Sequence, residues 1–182
     1  MVGGQMNDGF RKGAWGGSAA ASAVTERQAL FALLGSTLAG MGVAGYLVFL
    51  HQRIAGSPNR GLCTFTETIT CDKVLASPYA AIGPIPIALV GLGGFALLFG
   101  MALWRLAGGY RTPRWLPAAL AAVSGFGLLF ELGMTWVELF LIRAACPYCL
   151  TALAFIAATF AAAIMAWRAA PRIEAQEVSS HG

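Results

Sequence analysis

The chain has 182 residues, of which 58% are hydrophobic and 11% charged, with a formal net charge of +4 and a mean hydropathy of +0.69. A soluble domain of this length cannot bury so much apolar surface in one core, so the composition excludes an ordinary water-soluble enzyme and makes lipid the expected solvent. The basic excess does not mark a nucleic-acid binder, because Lys and Arg gather at the ends of apolar runs, where they act as topology signals.

Residues 1–27 are rich in Gly, Ala and Ser and hold no sustained apolar stretch, which predicts a flexible tail with little structure of its own. Ala21-Ser22-Ala23 imitates a signal-peptidase site but precedes the first strong apolar run, where a real site would follow it. Crossing about 30 Å of hydrocarbon takes about 20 helical residues. Four stretches meet that need, at about 30–50, 84–104, 115–142 and 149–167. Glycines recur in the first three, and their expected role is close packing between helices in lipid. The loop at 51–82 joins the first two spans and carries Cys63 and Cys71. The polar residues 64–70 between these cysteines are too few to cross the bilayer, so the loop should lie over the bundle mouth. A short interfacial helix is predicted at 72–76, ended by Ser77-Pro78. The expected fold is all-α: an integral membrane four-helix bundle with an extracytoplasmic loop carrying a cysteine pair. It spans 28–168, with cytoplasmic tails at 1–27 and 169–182.

Orientation follows from the basic residues. Arg11, Lys12 and Arg27 precede the first span, Arg105, Arg111 and Arg114 crowd the short second connection, and Arg168 and Arg172 follow the fourth. Arg53, Arg60, Lys73 and Arg143 are spread over the other side, mostly in the longer loop. Both termini should be cytoplasmic, which puts all four cysteines on the oxidising side of the membrane.

Four cysteines are too few for a disulfide scaffold and fall into two pairs, Cys63 with Cys71 and Cys146 with Cys149. Cys146-Pro147-Tyr148-Cys149 opens the fourth helix, with proline suited to the first helical position. Cys146 then falls at the cap, where the helix dipole lowers a thiol pKa and makes it the exchanging sulfur. No histidine follows this motif, which excludes c-type haem attachment. Two readings other than redox chemistry stay open: a four-cysteine zinc site, and a non-enzymatic membrane scaffold with structural disulfides. Glu131 and Glu138 are carboxylates seven residues apart on one face of the third span. Glu138 is read either as a proton acceptor or bundle anchor near the cysteines, or as a neutral or Arg143-paired side chain.

In order and spacing these motifs resemble bacterial members of the vitamin K epoxide reductase family over about 30–167. The family shows a spaced cysteine pair after its first helix, a Ser-Pro-Tyr-Ala segment, an Ile-Pro helix start, and a CPYC or CPWC opening the fourth helix. The chain matches with Cys63 and Cys71, Ser77-Pro78-Tyr79-Ala80, Ile85-Pro86 with Gly91, and Cys146-Pro147-Tyr148-Cys149. It departs at Pro84, where glycine is usual, at Phe95, where tyrosine is frequent, and at Leu153, where vertebrate enzymes carry tyrosine. The last difference argues against vitamin K epoxide itself as substrate. The resemblance implies a bacterial inner-membrane thiol:quinone oxidoreductase. In it a separate thioredoxin-fold (DsbA-like) exported protein reduces Cys63–Cys71, the loop pair reduces Cys146–Cys149, and electrons pass to ubiquinone or menaquinone. No fused thioredoxin-like domain and no metal are expected. Cys149, Ser77, Phe95 and Phe130 are the expected quinone neighbours, with Phe126 and Trp136 as further members of the apolar wall. Disulfide oxidases of the DsbB type carry the same two kinds of pair in the reverse order.

Overall fold

Four apolar runs become four helices long enough to cross a membrane, in a computed structural model that describes residues 8–56 and 68–180 and the side chains of 24–54, 68–109 and 111–170. The chain is a four-helix membrane bundle. Cys63 and most of the polar stretch between the loop cysteines lie outside the described residues.

Helix α1 runs Asp8–Gly56, with Val24–Ile54 as its membrane-crossing part. It therefore begins well inside the segment expected to be a flexible tail. Alanine is the strongest helix former, and the Ala-rich residues 19–23 extend the helix that the apolar run nucleates. Glu26, within that expected tail, is also tied into the bundle. Its carboxylate accepts from Arg105 Nη2 at 2.8 Å and from Arg105 Nε at 3.0 Å. Arg105 Nη1 in turn donates to Thr112 Oγ1 at 2.6 Å and to the Gly109 carbonyl at 3.0 Å. Arg105, expected to be a topology charge, is thus buried and paired.

The loop delivers a short helix α2, Cys71–Leu75, one residue from its expected place, and Ser77 ends it by donating from Oγ to the Val74 carbonyl at 2.7 Å. A two-residue hairpin follows, β1 (Ala81–Ile82) against β2 (Ile85–Pro86). Gly83 takes its first turn position at φ +63°, a conformation open to glycine, and Pro84 takes the second. Pro84 is therefore in a turn, and not at the start of the second span as expected. Helix α3 is Ile87–Gly108.

After a 3-10 turn at Gly109–Arg111, α4 runs Leu116–Trp136, with Pro117 in its first turn, where a missing N–H costs nothing. The same span continues as a π-helical segment, Val137–Ile142. Left-handed Arg143 closes it at φ 53°, and the Ala144 N–H bonds the Glu138 carbonyl at 3.1 Å. Helix α5 is Pro147–Ser180, crossing over Pro147–Ala170 and running unbroken through most of the second expected tail.

Helix α1 packs mainly on α5 and α3, and α4 on α5, whereas α3 and α4 touch each other far less. Leu33, Leu98, Leu120 and Ala163 fill the middle of the bundle. A second apolar cluster, Leu47, Leu50, Val74 and Leu75, surrounds Cys71 and Cys146 at one end. Between α1 and α5 the Ser36 and Thr159 hydroxyls share a hydrogen bond of 2.8 Å, the kind of polar contact that fixes helix register in lipid.

Candidate active site

The site is built by backbone pairing one step before each cysteine. Thr70 N–H donates to the Ala145 carbonyl at 3.1 Å and Ala145 N–H to the Thr68 carbonyl at 2.9 Å, a parallel bridge centred on Ile69 and Ala145. Cys71, which starts α2, comes two residues after Ile69, and Cys146, which precedes α5, comes one residue after Ala145. Their sulfurs lie 2.7 Å apart and both side chains are fully buried. Successive residues of an extended segment face opposite ways, so a one-residue slip of this pairing would carry Cys71 away from Cys146.

Cys149 stands one turn into α5. Its thiol lies close enough to both the Cys146 sulfur and the Glu138 carboxylate to interact with each. Glu138 Oε2 also accepts the Cys146 N–H at 3.3 Å, and the side chain is buried. The carboxylate thus joins both cysteines of the CPYC motif, while Arg143, the alternative partner, points outward and is exposed. Tyr148 packs its ring 4.9 Å from that of Tyr46, which holds the motif against α1. The Cys146 thiol is held well below the ordinary thiol range. The Cys149 thiol contributes most, then that of Cys71, and the N–H groups of Cys149 and Tyr148 add to both against the opposing effect of burial.

Where α3 and α4 separate, a cavity of about 530 Å³ opens toward α5. Phe95, Phe126 and Phe130 line it, Glu131 supplies a carboxyl group, and Ala152, one turn beyond Cys149, lies on its wall. Ser77, Cys149 and Trp136 do not line it; Trp136 stacks on Phe140 at 5.5 Å on the outer face. Gly91, Gly93 and Gly94 do line it, and a Cβ at any of them would meet nothing within 4 Å. These glycines make room, where the sequence suggested only close packing. The packing reading holds at Gly40, where a Cβ would lie 2.5 Å from the Phe95 ring, and at Gly125 and Gly127, against Phe160 and Ile156. Sequence reasoning missed the backbone clamp at Thr68, Thr70 and Ala145, because main-chain pairing leaves no side-chain signature. It also missed the cavity glycines, whose one visible signal is the cluster Gly91-Leu92-Gly93-Gly94.

The model of the vitamin K epoxide reductase family matches residues 31–164, most of the chain and all four spans in part or whole. The chain belongs to the vitamin K epoxide reductase family. A search of curated proteins gave no match. As a vitamin K epoxide reductase family member it is a membrane redox enzyme of the thiol–disulfide, quinone-linked kind. The cavity fits such a partner. Its volume is within the range of about 300–1,000 Å³ usual for small-molecule sites, and its aromatic wall carries a single carboxyl group.

Proposed function

We propose that the protein is a thiol:quinone oxidoreductase that reoxidises a separate, exported thioredoxin-fold protein and so supports disulfide formation outside the cytoplasm. The observation that supports this most is the 2.7 Å approach of Cys71 to Cys146, one cysteine from each pair. Thiol–disulfide exchange proceeds by attack of a thiolate on a disulfide sulfur, which requires this kind of contact between pairs. The donor protein reduces Cys63–Cys71. Cys71 then attacks Cys146, Cys149 leaves as a thiol, and Cys63 resolves the bridge. Phe95 and Phe130, on the cavity wall, would hold the quinone, ubiquinone or menaquinone. When bound, the quinone supplies an acceptor for two electrons and two protons. The chain sits in a bacterial inner membrane with both termini cytoplasmic, so the cysteines meet exported substrates.

The test compares a protein donor with a small one. Cys63→Ala or Cys71→Ala should abolish quinone reduction driven by a reduced thioredoxin-fold protein and spare much of that driven by dithiothreitol, which reaches Cys146–Cys149 directly. Cys146→Ala or Cys149→Ala should abolish both. Full donor-driven activity in Cys71→Ala would end the relay. A wild-type protein that reduces no quinone with either donor would end the enzymatic reading.

A further inference from the structure

The half of the third span nearest the cysteines is apolar except for three side chains, Glu131, Thr135 and Glu138. Their spacing of four and then three residues sets them on one helical face. At one end Glu138 accepts the Cys146 N–H and lies beside the Cys149 thiol, near enough to interact with it. At the other end Glu131 lines the cavity, close enough to Glu138 for the two carboxyls to interact electrostatically. Between them the Thr135 hydroxyl is buried with no hydrogen-bond partner. Buried polar groups are satisfied almost everywhere in proteins, and an orphan calls for an explanation such as a role in transfer. The helix winding changes from α to π at Val137, between Thr135 and Glu138, and π turns recur at functional sites. Ionisable groups inside a membrane are costly unless they face a partner or a cavity, and here one carboxyl faces each.

The geometry points to a proton path, Glu138 to Thr135 to Glu131, that carries the proton of the Cys149 thiol to the cavity. It rests on the thiol:quinone reading above. Closing the bond between the Cys146 thiolate and the Cys149 thiol releases two electrons and one proton; the second proton that a bound quinone would need is the one released earlier, when reduction left Cys146 as a thiolate. Cys149 Sγ gives its proton to the Glu138 carboxylate, while Cys146 enters the step already as a thiolate. Glu138 passes the proton through the Thr135 hydroxyl, which accepts it and donates its own, to Glu131. The Glu131 carboxyl holds it at the cavity wall. Glu138 is a catalytic residue, since it touches a reacting sulfur, and Thr135 is a positioning residue that acts through its neighbours.

The experiment uses the full-length protein in lipid nanodiscs and has two readouts. In the first, the reduced protein is oxidised with ferricyanide, which takes electrons and no protons, in the absence of quinone, and infrared difference spectra follow the carboxyl C=O band. Wild type should gain a protonated-carboxyl signal as the thiols close, and Glu138→Gln should lose it. In the second, dithiothreitol-driven quinone reduction should fall at least about 100-fold in Glu131→Gln, the low end of lost proton-transfer catalysis, and less in Thr135→Val, and Thr135→Ser should restore it. Quinone binding, read by tryptophan quenching, should stay unchanged in Thr135→Val and Thr135→Ser. Wild-type turnover in Glu131→Gln, or thiol oxidation that leaves the carboxyl band untouched, overturns the path. A wild-type protein that shows the carboxyl signal yet reduces no quinone sinks the thiol:quinone reading and leaves the thiol-to-carboxyl transfer standing.

Discussion

At the scale of single residues, Cys146 gathers more hydrogen-bond donors than any isolated thiol, and that sets its reactivity. Two thiols and two backbone N–H groups favour its thiolate over its thiol. A pKa held below the unfolded value keeps the thiolate present below that value, and loses it only as the pH falls through the folded pKa. Alkylation of Cys146 in the reduced protein, followed by mass spectrometry, should therefore hold its rate between about pH 8 and pH 6, whereas the unfolded chain should slow in proportion to an ordinary thiol near about 8.5. Cys149→Ala removes the largest of these contributions, so the rate in that variant should again fall with pH. The same variant leaves Cys146 without its resolving neighbour and 2.7 Å from Cys71. A Cys71–Cys146 bridge should accumulate in the unreduced protein. Mass spectrometry that finds Cys63 joined to Cys146 instead would reverse the order within the loop pair.

Helices and turns differ in how much of them the sequence discloses. Hydropathy locates the four spans to within a few residues, because lipid demands long apolar helices and nothing else satisfies their backbone. The hairpin at β1 and β2 escapes it, since two-residue strands carry no alternation, and Pro84 invites a helix start where the chain makes a turn. The π segment also escapes, because Val137–Ile142 is as apolar as any α-helical stretch and differs only in winding. Glu138 is visible because a carboxylate in such a run is conspicuous, although its attachment to Cys149 depends on where α5 lands. Glycines mark helix contacts ambiguously, and space around each decides its role. Gly40→Ala presses on the Phe95 ring, which has the cavity behind it and can swing there. Its expected outcome is a KM for quinone raised several-fold with kcat little changed and at most about 1–3 kcal/mol of lost stability. Gly94→Ala meets nothing within 4 Å. It should leave thermal inactivation within about 0.5 kcal/mol of wild type, which a thermal-shift series on both variants checks.

Across the whole molecule the two ends of the bundle are closed by different chemistry. One end is held by the paired backbone and sulfurs around Cys71 and Cys146, and the other by the Glu26–Arg105–Thr112 network joining α1 to the turn after α3. The basic asymmetry that predicts orientation counts Arg105 as a free charge, yet Glu26 neutralises it; Arg111, Arg114 and Arg168 stay exposed on that side. Removing the pair should therefore cost stability and leave topology alone. Glu26→Gln strands a buried guanidinium, and losing one partner of a buried pair costs about 3–5 kcal/mol. The double variant Glu26→Leu with Arg105→Leu removes both charges and should recover most of that loss, because well-packed apolar residues replace such pairs at little cost. Thermal inactivation of dithiothreitol-driven activity reads the stability of all three. In intact cells, after reduction, a membrane-impermeant maleimide should still label Cys63 in every variant, because in the proposed orientation the exposed arginines are enough to keep that end of the bundle cytoplasmic. Labelling in the double variant that requires opening of the inner face would show that Arg105 sets the orientation. Equal stability of Glu26→Gln and wild type would show that the buried pair does not hold α1 to α3.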